Sequence, residues 1–218
     1  EHPDVGRSYH DLSELYQKQG KYGQAEQLTK QALAIREKCL GNLHPDVGVD
    51  ISALATIYAA QNRFEEAEEL FEQAQSIVMN SLGVNHMKLA MVLYDKAKCF
   101  EKQHKYEDAF ELYKKALSIH KVTLSEVHPD VAHCLHSLAR LYALQNKAPL
   151  AKRWYEQSIS ILESCLGAVH PDVQQFKQNY ESFLLSARTR NHSGWATTMA
   201  AIACVVAASV VVMTKLKQ

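Results

Sequence analysis

A tetrapeptide that returns at a fixed interval constrains this chain more than any other feature of it. His-Pro-Asp-Val occupies His2 to Val5, His44 to Val47, His128 to Val131 and His170 to Val173, and His86 keeps the register in the gap; the step is 42 residues. Unrelated residue types obey the same step: Leu40, Leu82, Leu124 and Leu166; Ile35, Ile77, Ile119 and Ile161; Ala25, Ala67, Ala109 and Ala151. A period shared by so many positions means an array of like units, each burying its apolar face against the next.

Each unit divides into two helices. From Val5 to Lys18 the apolar residues Tyr9, Leu12, Leu15 and Tyr16 follow helical spacing, behind a proline and an acid suited to a first turn. Gly20 interrupts the pattern, and a second run from Tyr22 to Leu40 carries Ala25, Leu28, Ala32, Leu33 and Ile35 before Gly41 stops it. Short side chains such as Ala25 and Ala32 let paired helix backbones approach closely. The units fall at about 2–43, 44–85, 86–127 and 128–169, and a capping helix over 171–187, with Val173, Phe176, Tyr180, Phe183 and Leu184 on one face, covers the last hairpin. The third unit departs most: Lys96 replaces Leu12 and Leu54, Asn85-His86-Met87-Lys88 breaks the tetrapeptide, and Ser125 stands where Gly41 and Gly83 cap. That unit is expected to be the loosest, whereas Pro149 falls in a first turn that tolerates it.

The set Leu12, Ser13, Tyr16, Gly20, Tyr22, Ala25 and Ala32 resembles the tetratricopeptide repeat, and the 42-residue variant with Leu-Gly and His-Pro-Asp-Val is similar to the repeats of kinesin light chains. Leu54, Ala55, Tyr58, Phe64, Ala67, Phe71 and Ala74 reproduce the pattern in the second unit, and weaker forms follow in the third and fourth. The resemblance implies an all-α superhelix over 1–187, with four helix hairpins plus the capping helix, acting as a non-enzymatic protein-interaction scaffold. A cargo adaptor of a microtubule motor is the alternative it implies. An upstream catalytic domain served by the repeats is a third class.

Composition agrees with a folded, non-catalytic body. Lysines and arginines balance aspartates and glutamates at a net charge of zero, so no basic excess invites nucleic acid. The five cysteines form no Cys-x-x-Cys pair, which suits a reducing compartment. His128, His133 and His136 raise a metal site, but no cysteine or carboxylate completes a ligand set at suitable spacing, and His128 belongs to a motif repeated elsewhere. The recurrence of His-Pro-Asp at the repeat junctions marks a helix-start device rather than a catalytic dyad. No phosphate loop or nucleophile elbow is present, and neither cofactor nor metal is expected.

Beyond the array the composition changes. A basic linker, 188–194, contains Arg188, Arg190 and His192, and no charged residue occurs from Ser193 to Thr214. As a helix that run would span about 33 Å, enough for a hydrocarbon core of about 30 Å. The segment 195–214 is therefore expected to be a single C-terminal transmembrane helix, with 215–218 as a short basic tail. A tail anchor leaves the repeats in the cytosol, and its moderate hydrophobicity with basic flanks suits the mitochondrial outer membrane, with the endoplasmic reticulum as the alternative. A buried core helix is the weaker account, since a capped array offers no place for one.

The resemblance also implies where a partner would lie, along the concave face made by the first helix of each unit. The chaperone-tail clamp of Lys and Asn is absent, since His10, Glu14 and Ala53 stand at those places. The Asn pair of kinesin light chains is replaced by His10-Asp11, Ser52-Ala53, Tyr94-Asp95 and His136-Ser137. What the family geometry leaves is a groove with a small-residue floor of Ser52, Ala53, Thr56, Ala59 and Ala60, walled by Tyr94. Lys98, Lys102 and Arg140 outnumber Asp95 and Glu101 around it, and His133 and His136 would add charge below about pH 6.5. The expected partner is a protein segment with an apolar anchor beside acidic residues.

Overall fold

The computed structural model describes residues 2–189. These form α1 (Pro3–Lys18), α2 (Tyr22–Leu40), α3 (Pro45–Ala60), α4 (Phe64–Leu82), α5 (Met87–Lys102), α6 (Tyr106–Thr123), α7 (Pro129–Leu144) and α8 (Ala148–Leu166). A ninth helix, α9, runs from 171 to the last described residue, 189, and no strand occurs among the described residues. The expected span 195–214 and tail 215–218 lie outside the described residues, as does most of the linker 188–194. Among the described residues no helix is long and apolar enough to cross a membrane.

The recurring histidine is itself the cap. Nδ1 of His2, His44, His86, His128 and His170 accepts the backbone N–H two residues on, at 3.1–3.3 Å. A ring nitrogen thus replaces the side-chain oxygen of ordinary N-caps. His86 keeps this bond to Lys88 N although proline and aspartate are gone, which explains why the histidine alone holds the register there. Turns inside the hairpins also follow the period: Gly20, Asn62, His104 and Asn146 take φ of 73°, 64°, 62° and 58°. This left-handed conformation suits Gly and Asn and is uncommon for His. Between units, Gly41, Gly83 and Gly167 end their helices at φ 84°, and where Ser125 replaces glycine α6 stops earlier, with Leu124 as its cap.

Within each unit the two helices pack as a hairpin, and each second helix packs on the first helix of the next unit. Ala25, Ala32, Ala67, Ala74, Ala109, Ala116 and Ala151 are fully buried, as the close approach of the hairpins requires. The third unit is not the loosest. Its Leu89, Val92, Leu93, Ala97 and Tyr113 lie in the largest core cluster. Lys96 stays folded in because its Nζ reaches Glu72 Oε1 at 2.6 Å and Gln75 Oε1 at 3.3 Å, so the charge is paired rather than stranded. The thinnest burial is in α1, where Val5, Leu12 and Leu15 remain exposed.

Candidate functional site

The first helices face one another along the inner side of the array. A groove of about 390 Å³ is lined by Glu14, Gln17 and Lys18 of α1, Tyr22 of α2, Ala53, Thr56, Ala59 and Ala60 of α3, and Asp95, Lys98, Cys99 and Lys102 of α5. An adjoining hollow of about 440 Å³ shares Glu14, Lys18, Asp95 and Lys98 and adds Met91, Tyr94, His120, Asp130 and His133. Toward the C-terminal end, Arg140 lines a separate groove with Leu144, Tyr155, Asn179 and Phe183.

Of the residues expected to contact a partner, Ala53, Thr56, Ala60, Lys98 and Lys102 thus share one groove, and Tyr94 and His133 sit in the hollow beside it. Arg140 is elsewhere and already committed, its Nη2 lying 2.7 Å from Glu101 Oε1. Ser52 and His136 do not line the inner surface; they are 3% and 5% exposed and face the junctions between units. The histidines supply no acid-side charge near neutrality. Burial holds His133 below its ordinary pKa and pushes His136 down to about 3. His136 stacks on Phe176 at 3.7 Å between ring centroids, and its Nε2 lies 3.0 Å from Asn179 Nδ2.

What remains is Lys18, Lys98 and Lys102 against Glu14 and Asp95. Asp95 lies 3.6 Å from Lys98, yet burial in the groove wall raises its carboxyl above the ordinary value. Glu14 is held low, chiefly by its hydrogen bond to His10. Sequence reasoning used Glu14 only to exclude a clamp and missed Lys18, although the period contains both: Glu14, Thr56, Lys98 and Arg140 are equivalent, as are Lys18, Ala60, Lys102 and Leu144.

The inner ends of the junctions carry an unusual polar series. His10, Arg36 and Asp50 correspond by period to Ser52, Val78 and Val92, then Tyr94, His120 and Cys134, then His136, Leu162 and Phe176. At the first junction Asp50, fully buried, accepts from Arg36 Nη1 at 2.6 Å and from His10 Nδ1 at 2.7 Å on the same oxygen. The hydrogen bond to Asp50, followed by that to Glu14, raises the His10 pKa to about 9. Among the described residues, the buried side-chain atoms without a protein hydrogen-bond partner are Asp50 Oδ2, Ser52 Oγ, His120 Nδ1 and His136 Nδ1, one in each set. Such atoms cost about 1–3 kcal/mol each when dry, so the junctions hold polar groups that packing alone would not choose. No group of three His, Cys, Asp or Glu side chains among the described residues could hold a metal ion.

Comparison with family models matches tetratricopeptide repeats to residues 5–46, 46–121 and 88–164. Comparison with curated proteins found no match. Among solved structures, the chain is similar to BtubC (BKLC) from P. vanneervenii, with 26% identity over 84% of this chain and 74% of that one and a TM-score of 0.67. It is also similar to the nearly identical TPR-like repeats of a candidate kinesin light chain from Podosopora anserina, with 28% identity, coverage of 87% and 96%, and a TM-score of 0.62. Pseudomonas aeruginosa PilF shares the fold alone, at 20% identity, coverage of 85% and 70%, and a TM-score of 0.58.

Proposed function

The chain belongs to the tetratricopeptide repeat family, a protein-interaction scaffold that is generally not enzymatic, and we propose that it holds a segment of a protein partner in the groove between α1, α3 and α5. One observation carries this reading: Ala53, Thr56, Ala59 and Ala60 form a floor of small side chains beneath a rim of three amines and two carboxylates. A small floor leaves room for a bulky apolar anchor, and the slight cationic excess favours acids beside it. A solved structure described as a candidate kinesin light chain, 28% identical to this chain, supports a cargo adaptor as the second reading.

The test is selection from a random-peptide display library. Peptides pairing an aromatic or aliphatic residue with acids are expected to be enriched, and their binding falls with added salt. Ala60→Trp, which fills the floor, and Lys98→Glu with Lys102→Glu, which reverses the rim, each weaken it about tenfold or more. Folded variants that keep full, salt-insensitive binding would remove the groove from consideration.

Display on a membrane belongs to the same proposal and is supported by the uncharged run from Ser193 to Thr214. The full chain is expected to resist carbonate extraction from membranes, while a chain ending at 187 stays in the supernatant. Complete extraction of the full chain would refute the anchor.

A further inference from the structure

The period aligns the four hairpin tips, and the last tip breaks the charge pattern of the others. Leu150 stands where the earlier units have Gln24, Glu66 and Asp108, Lys152 where they have Glu26, Glu68 and Phe110, and Arg153 where they have Gln27, Glu69 and Glu111. Carboxylates near a helix start suit the partial positive charge there, and α4 and α6 each carry two in the first turn. α8 has none in its first turn, and two cations enter its second. Neither the helix nor the core gains from the exchange: Leu150 is 41% exposed, and Leu144, at the end of α7, is 55% exposed. The end of the array does not cause this exposure, since Gln24, Glu66 and Asp108 are exposed in the earlier units as well.

This tip lies beside the last described turn of α9. Leu144 and Asn146 line one groove with Ser186 and Thr189, and Ala148 packs in one cluster with Ala187. Arg188 is exposed there and adds a further cation. Lys152 lies 3.8 Å from Glu156, whereas Lys147, Arg153 and Arg188 form no ion pair among the described residues. Ser193, where the uncharged run begins, follows Thr189 by four positions, so even a fully extended link holds it within about 14 Å of Thr189. Exposed leucines among unpaired cations, with the run close by, suit an anionic bilayer: the leucines enter the headgroup boundary while the cations meet anionic headgroups. We infer that the α7–α8 tip, together with Arg188, is a lipid-contacting surface that seats the array on an anionic membrane. It builds on the membrane display proposed above and adds a contact that an anchor alone would not make.

The full chain is reconstituted in phosphatidylcholine vesicles with or without phosphatidylserine, carrying an environment-sensitive fluorescent amino acid in place of Leu150 or of Glu66, its equivalent in the second unit. In phosphatidylserine vesicles, lipids with brominated acyl chains should quench the probe at the Leu150 position and not the probe at the Glu66 position. Lys147→Glu, Lys152→Glu and Arg153→Glu together should abolish the quenching, as should high salt, without lowering the thermal midpoint, because acids suit a helix start. Resistance to carbonate in vesicles of phosphatidylcholine alone reads the anchor separately. A chain that resists carbonate yet shows no quenching at the Leu150 position keeps its anchor and loses this surface. Quenching that is equal in neutral vesicles, or indifferent to the charge reversal, also overturns the inference, since nearness to the anchor would suffice to produce it. A chain stripped by carbonate but quenched at the Leu150 position on anionic vesicles, and released by salt, upholds the surface and removes the anchor.

Discussion

Arg36→Val is expected to destabilise the array by about 3–5 kcal/mol, because it leaves the buried Asp50 carboxylate with His10 as its one cationic partner. Removing the carboxylate as well should reverse most of that loss. The next junction shows how: the places of His10, Arg36 and Asp50 are taken there by Ser52, Val78 and Val92, with both valines in the core. A chain with His10→Ser, Arg36→Val and Asp50→Val copies that apolar solution, and its stability should return to within about 1 kcal/mol of the parent. Urea midpoints at constant slope provide the readout. A single Arg36→Val costing under about 1 kcal/mol would mean that the buried network does not hold the first two units together.

Stability should also peak near pH 6.5, and the two limbs have different owners. His136 has a folded pKa near 3 against an ordinary 6.5, so the unfolded chain takes up the proton first. Stability therefore falls as pH drops below 6.5 and keeps falling to about 3, with His133 and His120, also depressed by burial, adding to the loss. His10 behaves in the opposite sense. Its folded pKa is raised, so its contribution is complete below 6.5 and is lost as pH rises through about 9. At about 1.4 kcal/mol per unit, and halved for residual solvent screening, the His136 limb amounts to roughly 2–3 kcal/mol. His136→Phe should flatten the acid limb relative to the parent, and His10→Ser the alkaline one. Parallel profiles for parent and His136→Phe below pH 6.5 would show that this histidine is not kept neutral by the fold.

Much of this architecture is legible in the residues because one spacing governs it. The bounds of α2, Tyr22–Leu40, follow directly from the alanine and leucine pattern and Gly41, and the units from the histidine step. The chemistry of the caps is harder to read: aspartate is the familiar N-cap residue, yet the ring nitrogen of the preceding histidine takes the bond. Lys96 looks like a defect until Glu72, on another helix, is brought to it. Groove residues are legible only in part for the same reason. Ala53, Thr56 and Ala60 follow from the inner-helix register, but whether Ser52 or His136 faces the groove or the junction depends on rotation by a fraction of a helical turn. The curvature that carries Glu14 and Lys18 across to Asp95 and Lys98 accumulates from small rotations between units, which no local pattern encodes.

The central claim is that a partner segment lies on the inner helices, and site-specific photocrosslinking locates it most directly. A benzophenone amino acid is placed at Gln17 or Lys102 on the groove, and in separate chains at the exposed Gln31 or Gln73 of the outer helices α2 and α4. With a peptide selected from the display library, crosslinks should form from Gln17 and Lys102, disappear in the Ala60→Trp background, and be absent from Gln31 and Gln73. Crosslinks that form from Gln31 and Gln73 and not from the groove would place the partner on the outer face and contradict the account.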